Sequence, residues 1–110
     1  MSDFPAQICN LPKFDGPFDA FKLAGEGCDV LFASYPPSTT IPMHHHATEN
    51  VGIITRGELI LTMNGTERRF GAGDWYHVPA GALHAARFEV ATSEIEFWFK
   101  APGAPTRNVV

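Results

Sequence analysis

The residues with the most chemistry in them lie between positions 41 and 59, in the stretch IPMHHHATENVGIITRGEL. His44, His45 and His46 run together, with Glu49 and Asn50 close behind. Neutral imidazoles suit first-row transition metals, and an oxygen donor beside them widens that set. A short histidine run can also be a tag remnant or a solvated loop. Its internal position and ordinary flanks argue against a tag. Whether it is a loop or half of a metal site depends on whether the chain supplies partners elsewhere.

GDWYHVPAGALHAARF, residues 73–88, supplies one. Gly73 follows a turn, Pro79 and Gly81 make another, and His84 opens the returning strand. Two histidine-bearing turns can meet across a small β barrel. Side chains of an extended strand alternate between faces. His44 and His46 therefore share a face and His45 takes the other. Counting on, Asn50 falls with the first pair and Glu49 with His45.

At these residues the chain resembles the cupins. Their first motif reads G-x5-H-x-H-x3,4-E-x6-G, and here His44-x-His46 is followed by Asn50 and Gly57 at the matching spacings. Their second motif reads G-x5-P-x-G-x2-H-x3-N, matched at Gly73, Pro79, Gly81 and His84. Three positions depart from the pattern. Ser38 and Phe88 replace the usual glycine and asparagine, and Asn50 stands where a carboxylate ligand is usual. Some small cupins carry Glu-Gln there with the amide as ligand, and Glu49-Asn50 looks like that variant with a shorter amide. The resemblance covers residues 28–100. It implies an all-β, single-domain jelly-roll barrel of antiparallel strands, often a homodimer. It also implies one divalent transition metal (Zn, Fe, Mn, Ni or Cu) on His44, His46, Asn50 and His84.

Such a ligand set carries no charge, so the metal keeps its full positive charge as a Lewis acid. The expected function is a metal-dependent enzyme acting on a small oxygenated organic molecule, such as a sugar acid or other carboxylate. Lyase, isomerase and dioxygenase chemistry all live on this fold. The alternative is a non-catalytic small-molecule- or metal-binding or sensing module. A lyase or isomerase needs a base, and Glu49, His77 or a lumen-facing glutamate are the candidates. His77 also reads as a partly buried histidine with a hydrogen bond. Glu94 and Glu96 alternate with Ile95, Phe97 and Phe99, which reads as a solvated acidic face. Trp75, Tyr76 and Trp98 read as packing residues, and Arg56 and Arg87 as surface charges.

The positioning elements are strands. CDVLFASY, NVGIITR, ELILTM, TERRF, WYHV, HAARFEV and SEIEFWFK are short, regularly spaced and separated by Gly, Pro or Asn. Asn64-Gly65 marks a hairpin, and no segment carries a helical stripe. This is the pattern of an antiparallel sandwich or barrel. Residues 1–27 read as an arm with one or two short strands, belonging to the same domain as the barrel at 28–100. Residues 101–110 read as an irregular tail.

The 110 residues fit one domain, and 45% hydrophobic with 18% charged residues is a globular composition. A net charge of −4 with scattered Lys and Arg excludes a basic stripe, so no nucleic-acid partner is expected. The N-terminus lacks a signal-peptide pattern, and no apolar run reaches membrane-spanning length. Cys9 and Cys28 form no framework. The expectation is a cytoplasmic protein that binds a small molecule and no membrane.

Overall fold

The computed structural model describes residues 3–100. The elements run α1 (Ala6–Cys9), β1 (Asp19–Leu23), β2 (Cys28–Tyr35), β3 (Thr39–His44), β4 (Asn50–Arg56), β5 (Glu58–Met63), β6 (Thr66–Gly71), β7 (Trp75–Val78), β8 (His84–Phe88) and β9 (Thr92–Phe99). The described residues are thus nearly all β. The tail expected at 101–110 lies outside them.

Two antiparallel sheets face each other. One is ordered β1-β2-β9-β4-β7 and the other β3-β8-β5-β6. Turn chemistry sets several of the joins. Asn64 and Gly65 have φ of 55° and 75°, the two positive values a tight hairpin between β5 and β6 requires. Gly81, at φ 80°, turns the chain between β7 and β8. Its N–H donates to the His46 carbonyl at 2.8 Å. That bond ties the two histidine-bearing loops together.

Leu31, Ala33, Ile54, Leu59, Leu61, Val78 and Phe88 fill the space between the sheets. Tyr35 stacks on Phe88 with ring centroids 4.1 Å apart. Burying such side chains supplies the main favourable term in folding.

The structure adds two elements to the sequence expectation. One is the short helix α1, which buries no residue. The other is β3, which Pro42, inside its TTIPMH run, hid. β1 accounts for the strand expected in the arm and pairs along β2. The strand expected over HAARFEV ends earlier, at Phe88.

The larger correction concerns β9. Thr92, Glu94, Glu96 and Trp98 point between the sheets, while Ile95, Phe97 and Phe99 point outward. The acidic face expected to be solvated is the buried one, with Glu94 and Glu96 each 2% exposed. Alternation fixes which residues share a face but not which face turns inward, and here tyrosines on β2 and β7, strands of the same sheet, supply partners for the acids.

Candidate functional site

β3 and β8 pair so that His44 lies opposite His84, just past a register shift after Ile41. His46 follows two residues beyond the end of β3. The ring centroids of the three histidines lie 4.2 to 4.9 Å apart. One ligand atom from each falls within 4.8 Å of the other two. His45 is exposed.

Two of these rings have fixed tautomers. His44 Nδ1 donates to the Pro42 carbonyl at 2.8 Å and His84 Nδ1 to the Ala82 carbonyl at 2.9 Å. A carbonyl can only accept, so the proton sits on Nδ1 and each Nε2 keeps its lone pair. His44 Nε2 lies 3.1 Å from His46 Nε2. Two imidazole nitrogens each about 2.1 Å from one ion stand roughly 3.0 to 3.4 Å apart at angles of 90° to 109°. The donor set therefore fits a transition metal. His46 differs from the other two: its Nδ1 is buried with no partner, and because His44 Nε2 can only accept, His46 Nε2 is the donor in the contact between them. Burial, then the neighbouring histidines, lowers its pKa to about 4. Burial also lowers that of His84. Both rings are neutral at pH 7, the state a metal ligand needs.

Asn50 opens β4 and is 4% exposed. Its Nδ2 donates to the Phe97 carbonyl at 3.3 Å. Its Oδ1 has no partner among the described residues, and the side chain lines the same cavity as the histidines.

Glu49 and His77 lie elsewhere. His77 Nε2 meets Glu49 Oε1 at 2.5 Å on the outer surface, and the Ala80 N–H donates to Glu49 Oε2 at 2.8 Å. The Ala80 N–H, then His77, holds the Glu49 carboxyl below the usual range. Neither residue lines the cavity. What they do is brace the turn that carries His84. Their candidacy as bases came from sequence proximity, and the outward phase of Glu49 removes it. His77 is also more exposed than the partly buried reading allowed.

The cavity encloses about 700 Å³, within the usual range for small-molecule sites. Most of its lining is apolar, and Tyr76 and Trp98 border it as well as packing. Trp98 stands edge-on to His46, centroids 4.6 Å apart. Its Nε1 donates to Glu96 Oε1 at 2.9 Å. Tyr35 OH donates to Glu96 Oε2 at 2.6 Å, and Tyr76 OH to Glu94 Oε1 at 2.5 Å. Burial raises the pKa of both carboxyls. Glu96 accepts from Tyr35 and Trp98 and Glu94 from Tyr76 alone, so Glu94 is the carboxyl that holds its proton more readily. Sequence reasoning weighed a lumen-facing glutamate as a base but set this pair on a solvated face. The available signal was the match of Ile95 and Phe97 with the equally apolar Val51 and Ile53 on β4.

Comparisons with known proteins agree with this fold. The family model for the cupin domain matches residues 31–97. An HTH-type transcriptional regulator of Escherichia coli, PuuR, is 33% identical over 57 residues, 51% of this chain and 31% of its own length. H2HPP isomerase of Bacillus subtilis is 32% identical over 62 residues, 56% of this chain and 26% of its own. The chain thus spans under a third of the length of these curated relatives. An RmlC-like cupin from Shewanella frigidimarina superposes with a TM-score of 0.74 at 19% identity, covering 92% of this chain and 91% of that one. KdgF from Halomonas sp. gives 0.66 at 16%, covering 77% and 81%. Similarity at this level speaks for the fold alone.

The acid pair has a pH signature. In the unfolded chain Glu94 ionises above about 4.5. In the folded chain it keeps its proton to higher pH, so the unfolded state binds fewer protons there and stability falls as pH rises. Glu94→Gln copies the protonated carboxyl and removes that titration. The variant should match the wild type below pH 4.5. It should gain on it above, by at most ~1.4 kcal/mol per pH unit. Urea denaturation across pH 4 to 8 measures this, and a pH-independent difference contradicts the shared proton.

Proposed function

The chain belongs to the cupin domain family, and from that premise we propose that it is a metal-dependent enzyme acting on a small oxygenated organic molecule. The observation that carries this reading is the pair of fixed Nε2 lone pairs, on His44 and His84, that converge with His46 at the cavity. His44, His46 and His84 would hold one divalent metal, with Asn50 Oδ1 as a weaker fourth ligand. When bound, the metal supplies Lewis acidity undiminished by ligand charge.

The chain's own residues then choose the substrate. Four neutral ligands favour an anionic oxygen donor such as a carboxylate. Leu31, Leu59, Leu61 and Val78 offer no partner to a row of hydroxyls. A carboxylate with an apolar body therefore suits the cavity better than a sugar acid, because unpaired buried hydroxyls are costly. With Glu49 and His77 outside, the acid pair Glu94–Glu96 is the proton-holding group within the cavity. The similarity to an isomerase supports catalysis. Similarity to a regulator favours a second reading, a binding module without turnover. Conversion of a bound carboxylate, followed by proton NMR, separates the two.

Nucleic acid fits neither reading. Lys13, Arg56, Arg69 and Arg87 already pair with carboxylates, which leaves no free basic stripe among the described residues. No described helix is long and apolar enough to cross a membrane; a cytoplasmic location is part of the proposal.

The proposed partner is a second copy of the chain. The outer face of the five-stranded sheet carries Phe21, Val30, Phe32, Ile53 and Phe97, with Trp75 56% exposed. The outer face of the other sheet carries the ion pairs Arg69–Glu58 and Arg87–Glu67 instead. This face is mostly apolar, with charge at its margins in the Lys13–Asp19 pair beside Phe21 and the Glu49–His77 pair beside Trp75. Such a face can be self-complementary across a two-fold axis.

Two outcomes follow from this reading. His44→Ala and His84→Ala should each lose most of the bound metal, measured by elemental analysis of untagged protein, while His45→Ala keeps it. Chelation should remove roughly 3 to 4 kcal/mol of stability when free metal had stood at 100 to 1,000 times its Kd. Equal loss in all three variants contradicts the site. In sedimentation equilibrium the wild type should be a dimer and Trp75→Glu a monomer, and a monomeric wild type contradicts the interface.

A further inference from the structure

Buried carboxyls cost stability unless something else requires them. Replacing buried ionisable groups by apolar residues of similar volume is often neutral or stabilising. β9 nevertheless turns Glu94 and Glu96 into an otherwise apolar cavity, and two tyrosines come from different strands to meet them. Tyr35 arrives from β2 and Tyr76 from β7. Gly52, on β4 between Tyr76 and Glu96 in the register, makes the second meeting possible. A Cβ there would fall 2.4 Å from the Tyr76 ring. A glycine inside a strand weakens it and marks a close approach. Here the approach is the phenol lying across β4 to reach Glu94.

The same cavity holds two further groups that await a ligand. His84 is 5% exposed and Asn50 4%, and neither His84 Nε2 nor Asn50 Oδ1 has a partner among the described residues. The distance between the two polar regions follows from strand geometry. Trp98, against His46, shares a face of β9 with Glu96 and Glu94. At about 3.4 Å per residue Glu96 lies ~7 Å and Glu94 ~14 Å along the strand from Trp98. That span accommodates one substituted ring, and the walls between are leucine, valine and aromatic side chains.

We propose that Glu94, Glu96, Tyr35 and Tyr76 form a second polar subsite, which holds a hydroxyl or carbonyl oxygen at the far end of a ligand whose carboxylate sits at the histidines. The ligand class is a ring-bearing carboxylic acid with an oxygen opposite its acid group. The subsite can serve either form of that oxygen. The two phenol protons are committed to the carboxyls, so a protonated Glu94 is the donor, and the Glu96 carboxylate and the phenol oxygens accept. A site built to pair an oxygen discriminates against the analogue lacking it, because its own polar groups are then left unpaired.

This inference rests on the metal-centre reading for the carboxylate end only, and the test separates the two ends. Benzoate and 4-hydroxybenzoate are titrated calorimetrically into zinc-loaded protein. The wild type should bind 4-hydroxybenzoate about tenfold more tightly, the ratio expected for one buried polar pairing. Glu94→Leu/Glu96→Leu should bind both probes alike. Its melting temperature should be no lower than that of the wild type, which shows that the fold is intact. Glu94→Gln, which keeps a donor in place, should retain most of the preference. Equal binding by the wild type, a preference that survives in the double leucine variant, or no binding of either probe overturns the subsite. Failure of the metal reading looks different: chelation leaves both affinities unchanged while the hydroxyl preference and its dependence on the acid pair persist.

Discussion

Two hydrogen bonds of one kind govern the site. Each runs from an imidazole Nδ1–H to the carbonyl two residues earlier, His44 to Pro42 and His84 to Ala82. They hold both rings in one tautomer and aim both Nε2 atoms into the barrel. Everything around them keeps the two turns in place. The β3–β8 ladder sets His44 opposite His84, the Gly81 N–H reaches the His46 carbonyl, and Glu49 braces the β7–β8 turn from outside. The histidine run is therefore not a floppy chelating loop. It is one edge of a sheet bonded to the turn that carries its partner.

Phase on β9 is the second constraint. Turning the acids inward places Trp98 against His46 and the Glu94–Glu96 pair deeper in the cavity. The same phase turns Ile95, Phe97 and Phe99 outward, with the Phe97 and Trp75 ring centroids 6.0 Å apart. One choice of phase thus yields both a polar interior and an apolar exterior, the reverse of the usual solvated sheet. Buried carboxyls on such a strand are tolerable because tyrosine and tryptophan donors satisfy them.

The extent to which this was legible in the sequence depended on the range of the interaction involved. Asn64-Gly65, Gly81 and the alternation along Cys28–Tyr35 are local, and the hairpin, the turn and the strand read directly from them. The spacing of His44, His46 and His84 foretold which side chains the fold brings together, since strand parity is also local. β3 was hidden because Pro42 interrupts its pattern. The orientation of β9 was hidden because the partners that decide it, Tyr35 and Tyr76, lie 61 and 18 residues away from the acids they meet. Glu49 and His77 drew notice as titratable groups near the motifs, yet their mutual bond and the Ala80 N–H hold them outside. A sequence period gives the side-chain register, and only tertiary partners give the phase.

The convergence of three imidazoles is the central claim, and X-ray absorption at the zinc edge of the loaded, untagged protein tests it most directly. The account predicts a nearest shell of nitrogen and oxygen at about 2.0 to 2.2 Å, with the outer-shell scattering of three imidazole rings. It also predicts that one ring's contribution vanishes in His84→Ala. A shell of oxygens alone, or a spectrum unchanged by that substitution, would contradict it.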